Sequence, residues 1–326
     1  MLSLVTGGTG FIGSHLVDTL VSKGEDVRML VRKTSKVDKF KNMGVDFVFG
    51  DIRDKDTLKR IANDVDVVYH LAGKVGEWGV PDSVFIKINI KGTENILNAS
   101  REAEINHFIF CSTPGVLGLT GYPEAKEDLP YNPPGIYEKT KCEAEKLAIR
   151  FYEEKRLPMT IIRPDFVYGP GDLRRLKLYK AIKNKSFLMI GNGRSLLHPT
   201  YIDDVICGFE LVMNNSKAIG EVYNIAGSRP ITVREYLETI AQALNVTISK
   251  FKVPKVFARG AAFVLENISK VSKKEPFISQ SKINFLTISH GSDISKIKTQ
   301  LGYLPKVKFK DGIKRTTDWY IENNIL

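Results

Sequence analysis

Short apolar runs closed by glycine or polar clusters alternate, through the first half of the chain, with longer stretches whose apolar residues recur every three or four positions. The first run, Leu2 to Val5, meets Thr6-Gly7-Gly8-Thr9-Gly10 and is followed by Phe11, Ile12, Leu16, Val17, Leu20 and Val21 at helical spacing. This reads as strand, tight turn, helix. Residues 26–31, 45–49 and 65–72 predict three further strands, the last nearly continuous in apolar residues, as a parallel strand covered on both faces should be. Val84, Phe85, Ile88, Ile96 and Leu97 predict a helix over 83–104; Phe108 to Cys111 predicts a strand, and a helix follows over 137–155. The alternation predicts an α/β fold with a doubly wound parallel sheet of about seven strands. The first domain is expected over residues 1–165, with segments near 201–226 returning to it, and residues 166–326 are expected to form mainly a smaller substrate lobe.

The glycine cluster carries the first chemistry. Gly8-x-Gly10-x-x-Gly13 satisfies the dinucleotide fingerprint, in which glycines allow a sharp turn, close approach of a pyrophosphate and tight helix packing. Gly7, Gly10, Phe11, Ile12 and Gly13 are therefore the expected phosphate cradle, with the unpaired amides of the helix N-terminus facing the anion. At the end of the second strand an acidic residue would suit the ribose hydroxyls of NAD, whereas a basic one suits the 2′-phosphate of NADP. Arg32 and Lys33 stand there, so NADP is expected, with NAD as the other possibility. Asp51-Ile52 closes the third strand at the sheet edge where such folds bind ligands, and Leu71-Ala72-Gly73 keeps the mouth of the fourth strand small. His70 is read as structural.

Ser112-Thr113 ends the fifth strand at the same edge, and Tyr137 and Lys141, four apart on a helix, share a face. An ammonium beside a phenol is expected to lower the phenol's pKa toward the working range of an acid-base group. The formal charge of +11 favours anionic partners, but Lys and Arg are scattered rather than blocked, which argues against nucleic acid. Three cysteines without paired spacing argue against zinc or a disulfide framework and for a reducing cytoplasm. The first apolar run is too short for an export signal, and the longest, Val256 to Leu265, too short to span a bilayer.

The residues resemble the extended short-chain dehydrogenases/reductases over essentially the whole length. The resemblance rests on the glycine motif, Asp51-Ile52, His70-Leu71-Ala72-Gly73, Asn89-x-Lys91-Gly92-Thr93, Ser112-Thr113, Tyr137-x-x-x-Lys141 and Arg163-Pro164-x-x-Val167-Tyr168-Gly169-Pro170-Gly171-Asp172. It continues through Tyr201-Ile202-Asp203-Asp204-Val205, Tyr223-Asn224-Ile225-Ala226 and Leu301-Gly302-Tyr303-x-Pro305. It implies that Thr113, Tyr137 and Lys141 are the catalytic hydroxyl, acid-base tyrosine and supporting lysine, that Lys141 also holds the nicotinamide ribose, and that Pro164 and Val167 border the cofactor. A homodimer through the 83–104 and 137–155 helices is also implied, and Leu147, Ile149 and Phe151 are expected on its outer face.

Within that family, sugar-nucleotide epimerases and dehydratases carry Arg-x-x-Asn-x-Tyr-Gly-Pro, whose Asn meets the substrate diphosphate; here Phe166 takes that place. Their later Arg, which pairs with the same diphosphate, is replaced by Leu197, and the dehydratase Asp-Glu after the catalytic Thr is replaced by Pro114-Gly115. Losing both polar partners leaves a diphosphate's desolvation poorly compensated. Val75-Gly76-Glu77-Trp78-Gly79, Ser112-Thr113-Pro114 and Gly169-Pro170-Gly171-Asp172 look more like the hydroxysteroid dehydrogenase and dihydroflavonol reductase branch. The expectation is an NAD(P)-dependent oxidoreductase interconverting a secondary alcohol and a ketone on a small apolar substrate, with Trp78, Ser112 and Phe166 near that substrate. Leu176, Leu178, Ile182, residues 187–190 and 253–263 are expected pocket walls. A redox-neutral UDP-sugar epimerase holding NAD tightly and a non-catalytic NADP sensor are the alternatives.

Overall fold

The short apolar runs lie side by side in one parallel sheet. A computed structural model describes residues 1–248, 251–272 and 275–326. Six strands come from the first half of the chain: β1 (Leu2–Thr6), β2 (Asp26–Val31), β3 (Asp46–Phe49), β4 (Val67–His70), β5 (His107–Cys111) and β6 (Met159–Pro164). Four two-residue strands follow, β7 (Val167–Tyr168), β8 (Met189–Ile190), β9 (Leu196–Leu197) and β10 (Thr200–Tyr201), before β11 (Val222–Ile225) returns to the sheet. The order is β11-β6-β5-β4-β1-β2-β3, parallel throughout, with Val222 opposite Ile161 and Ile225 opposite Pro164. The chain reverses its direction of winding between β1 and β4, and that switch point is where open α/β sheets bind ligands.

Alternation along each strand divides the core into two layers. Leu4, Phe108, Phe110 and Ile161 face one side, packed with Ile96, Leu97, Ala144, Ala148 and Phe151. Val5, Ile109 and Ile162 face the other, packed with Leu16, Val17, Leu20, Ile202, Val205 and Phe209. The first layer is covered by α2 (Lys55–Ala62), α4 (Thr93–Glu102) and α5 (Ile136–Lys155), the second by α1 (Phe11–Ser22) and α7 (Ile202–Met213). Truncating one fully buried ring such as Phe110 would cost about 3–5 kcal/mol. The second layer continues without a break into Tyr236, Ile240, Tyr303 and Tyr320 of the later chain.

The expected 83–104 helix has a different middle. It begins as α3 (Asp82–Phe85), winds as a π-helix over Ile86–Gly92 and resumes as α4. Wide turns of this kind accompany functional sites. Here the wide turn carries Asn89 inward, where its amide spans the main chain of Lys74 and the hydroxyl of Thr140. Phe151, expected on an outer face of α5, is instead buried in the first layer, because it lies one helical turn from Ala148 on the same inward stripe.

Beyond β6 come α6 (Leu176–Lys183), α8 (Val233–Ala243), α9 (Lys255–Ser272), α10 (Gln280–Thr287), α11 (Ser295–Leu301) and α12 (Phe309–Glu322). Among the described residues no helix is long and apolar enough to cross a membrane.

Candidate active site

The turn between β1 and α1 is made by main chain. Gly7 has φ +78°, and a Cβ there would stand 2.6 Å from the amide nitrogen of Ala72. A Cβ on Gly13 would stand 2.2 Å from the carbonyl oxygen of Gly7. The expected Gly8 is less demanding, since its Cβ would meet the flexible end of Met29, and a Cβ on Gly10 would lie 3.1 Å from Gly7 O; Gly7 and Gly13 are the glycines the turn requires. Gly10 N donates to Gly7 O at 2.9 Å and Ser14 N to Gly10 O at 2.8 Å. The amides of Phe11, Ile12 and Gly13 therefore precede the first helical hydrogen bond and face out with the positive end of the helix dipole. No acidic side chain stands in that first turn. A pyrophosphate fits this cradle, which a side chain would fill.

The other expected nucleotide-binding residues end strands on the same sheet edge. Arg32 and Lys33 are exposed just beyond β2 and form no close ion pair among the described residues, Arg32 lying near enough to Asp51 to favour its charged form. Asp51, just past β3, is held in a two-point ion pair by Arg53, whose hydrogen bonds keep its carboxyl below the usual range. Ile52 is buried under Gly92. His70 bridges Thr6 at 2.7 Å and Thr93 at 2.9 Å, and burial holds its imidazole neutral, at a pKa of about 3. It ties β1 and β4 to α4, the structural role expected.

Ile12, Leu71, Gly73, Ser112, Thr113, Tyr137, Lys141, Pro164, Phe166 and Val167, separated by up to 155 positions in sequence, line one cavity of about 750 Å³. Thr113 and Tyr137 line it together, and the Thr113 hydroxyl accepts from Gly115 N at 3.2 Å. Lys141 is buried, donates to Cys111 O at 2.7 Å and lies over the Phe110 ring at 4.1 Å. Burial pulls its pKa down to about 8.

The expected lowering of the Tyr137 pKa by Lys141 is not found. Burial is the largest influence and pushes the phenol above its ordinary value; Arg174 and Thr113 oppose it, while the Lys141 ammonium is directed at a carbonyl. Protein groups alone thus keep Tyr137 protonated, as a proton donor. Burial also raises the Cys111 thiol to about 11, so it is no nucleophile.

Ser112 lines the cavity, but its hydroxyl donates to Glu145. Glu145 and Arg163 form a fully buried ion pair, with Tyr131 donating to Glu145 at 2.9 Å and Arg163 donating to Glu127 O at 2.9 Å. Removing one partner of such a pair costs about 3–5 kcal/mol. The network braces the strand end that presents Thr113, and neither Glu145 nor Tyr131 had stood out in the sequence, where they read as ordinary helix and loop residues.

The wall opposite Tyr137 is aromatic and aliphatic. Phe166 stacks on Phe285 with centroids 5.3 Å apart, meets Tyr236 edge-on at 5.3 Å, and carries the Arg175 guanidinium 4.0 Å above its ring. Its φ is +36°, a conformation asparagine visits readily and phenylalanine seldom. Leu197 is fully buried and lines the same wall. Leu178, Phe187, Leu188, Ile190 and Val253 join it as expected, but Ile182 is core, and Val256, Phe257 and Phe263 turn to solvent. Trp78 is half-buried in its loop and is not among the lining residues. Missed from sequence were Arg174, Arg175 and Tyr236. The first two follow Gly169-Pro170-Gly171-Asp172 after one intervening residue, Leu173, and that position was the available sign.

The model of the NAD dependent epimerase/dehydratase family matches residues 3–226. The "3beta-hydroxysteroid-dehydrogenase/decarboxylase isoform 1" of Arabidopsis thaliana is 29% identical, the match covering 97% of this chain and 78% of that protein. The "2-alkyl-3-oxoalkanoate reductase" of Shewanella oneidensis is 28% identical, over 96% of this chain and 84% of that protein. Among solved structures, UDP-glucuronic acid 4-epimerase from Bacillus cereus in complex with NAD superposes with a TM-score of 0.80 at 27% identity, covering 100% of both chains. A main-chain phosphate cradle at the switch point of a parallel sheet, with Thr113, Tyr137 and Lys141 beside it, fits these likenesses, and the chain belongs to the NAD-dependent epimerase/dehydratase family as an oxidoreductase-type enzyme of the extended short-chain dehydrogenase/reductase class.

Proposed function

We propose that the protein interconverts a secondary alcohol and a ketone on an apolar molecule. The observation that carries this is the wall facing Tyr137, where Phe166 and Leu197 stand in place of the polar residues a sugar diphosphate needs. Nicotinamide, when bound, supplies or accepts the hydride. Tyr137, kept protonated by burial, donates to the substrate oxygen in reduction and recovers the proton in oxidation, while Thr113 hydrogen-bonds in the same place and orients it. Lys141 lies behind Tyr137 as the group that would meet the nicotinamide ribose.

The charge on the cavity wall refines the substrate class. Arg174, Arg175 and Tyr236 line the cavity, and Arg175 lies beside Tyr236. Arg174 and Arg175 share the one carboxylate of Asp172, which leaves an excess of positive charge on this wall. A carboxylate on the substrate would meet that charge. The names of the oxoalkanoate reductase and of the "Sterol-4-alpha-carboxylate 3-dehydrogenase, decarboxylating" of Bos taurus, 28% identical, support a keto or hydroxy acid. For the cofactor, Arg32 and Lys33 support NADP over NAD. Half-buried Leu147 and Ile149 with exposed Ile86 and Tyr152 support a homodimer through α4 and α5, and three free cysteines suit a reducing cytoplasm.

The test is cofactor bookkeeping by absorbance. A dehydrogenase releases its cofactor after each turnover, so the protein should exchange NADP(H) freely, consume it stoichiometrically with a medium-chain 3-oxo acid, and bind UDP-sugars no more tightly than about millimolar. Micromolar UDP-sugar binding with nucleotide retained through purification would promote the epimerase, and cofactor binding without turnover on any hydroxy or keto acid would promote the sensor.

A further inference from the structure

Helix α9 is built inside out. Its inward stripe is made of small residues, Ala258, Ala262 and Ser269, packed with Ile190 and Ile283. Its large apolar residues face solvent: Phe257 is 72% exposed, Phe263 66%, and Val256, Val264 and Ile268 are exposed beside them. At ~100° per residue these five fall on one side of the helix, together with Gly260 and Ala261. A surface helix of a globular protein ordinarily shows the reverse.

The patch does not end with the helix. Strand β13 (Lys252–Val253) pairs in parallel with β8, Lys252 opposite Met189, so exposed Phe251 and Leu188 come together one residue before the paired positions. Leu188 and Phe277, itself 79% exposed, also line the catalytic cavity. The exposed apolar surface thus runs from α9 to the cavity mouth. Contiguous exposed apolar surface marks a docking site for protein or membrane.

Charge decides between them. Residues 250–282 hold eight Lys or Arg against only Glu266 and Glu275. Glu266 accepts from the Gln280 amide, and Glu275 is taken by Lys177 and Lys282. Lys252 and Arg259 stand exposed with no carboxylate among the described residues. A second copy docked face to face would bring the same cation-rich, carboxylate-poor patch to both sides, because a two-fold interface uses one patch twice. An anionic lipid surface would meet both the apolar stripe and the cations.

We propose that α9 docks on an anionic lipid surface, with Phe257 and Phe263 entering the acyl boundary, so that the cavity mouth at Leu188 and Phe277 opens toward the lipid phase. The delivery of an apolar substrate from that phase rests on the function proposed above; the docking itself does not. It is therefore tested on the full chain without substrate or cofactor. Co-sedimentation with phosphatidylcholine vesicles, with and without phosphatidylglycerol, should show binding to the anionic vesicles that weakens as salt rises. Phe257→Ser with Phe263→Ser, both exposed and so harmless to folding, should weaken binding on the order of tenfold for each ring. Lys252→Glu with Arg259→Glu should abolish the preference for anionic over neutral vesicles. Failure to sediment with anionic vesicles overturns the proposal. So does binding indifferent to the double serine variant, which would be charge attraction alone, or light scattering that shows self-association lost in that variant, which would assign the face to a second copy. Turnover without vesicle binding would leave the enzyme standing and remove the docking; vesicle binding without turnover would do the opposite.

Discussion

The two sides of the cleft are built by opposite rules. The side proposed for nucleotide is main chain: Gly7 and Gly13 are required because a Cβ would strike backbone, and the groups that would meet phosphate are amides every residue has. The side proposed for substrate is side chain: Phe166, Leu197, Tyr236 and Phe285 shape the space, and Arg174 and Arg175 bring positive charge to it. Backbone that must approach a ligand admits only one residue type, so that side tolerates no change. A wall made of side chains can be repainted while the fold persists, so one sheet serves epimerases and reductases alike.

The largest expected effect falls where the two sides meet. Tyr137→Phe should lose about a hundredfold to ten-thousandfold in kcat while nucleotide affinity stays within about twofold, since the ring still packs and the proton is gone. Near-normal turnover, measured by steady-state kinetics, would move the chemistry elsewhere.

Gly13→Ala should do the converse. Its methyl would lie 2.2 Å from Gly7 O and 2.8 Å from Gly8 Cα, neither of which can yield as a side chain would. Nucleotide affinity by calorimetry should fall about a hundredfold, some ~2.7 kcal/mol, with circular dichroism unchanged. Unaltered affinity would break the claim that main chain builds that side.

Lys141→Met probes the junction through stability. The buried amine has a pKa of about 8 against 10.5 in the open chain, so the unfolded state binds more protons between those values and stability rises with pH across that window. Below about pH 8 the cost of burying the charge is fully present; above about 10.5 it is relieved. Denaturant unfolding of the native protein should therefore gain up to about 3 kcal/mol on the methionine variant between pH 8 and 10.5. Parallel pH curves would mean that Lys141 is better solvated than its burial implies.

Arg32→Asp should have the smallest effect and stay confined to the nucleotide side. A preference for NADPH over NADH of about tenfold or more, the worth of a charged hydrogen bond, should vanish or reverse with turnover of the substrate otherwise kept. Equal affinities in the native protein would refute the cofactor assignment.

What could be read from the sequence divides along the same line. The glycine turn, the strands at 26–31 and 108–111 and the gathering of Thr113 with Tyr137 and Lys141 were legible, because each depends on local spacing or on a residue type no other can replace. The sequence even flagged Phe166 and Leu197 as departures. It misassigned the influence on Tyr137, since i,i+4 spacing places Lys141 on the same face but says nothing of the Cys111 carbonyl that turns the amine aside. It could not find Glu145, Arg175 or Tyr236, whose roles come from partners 18, 9 and 70 positions away.

The sequence by itself determined the α/β class, the glycine turn after the first strand and the shared helical face of Tyr137 and Lys141, because period and residue type act over one helical turn or one strand. Tertiary structure alone decided which side of α9 faces water, which hydroxyl is spent on Glu145, and where the wall of the cavity closes. Those outcomes depend on burial and on distance between chain segments, and neither is a property of any stretch of sequence taken alone.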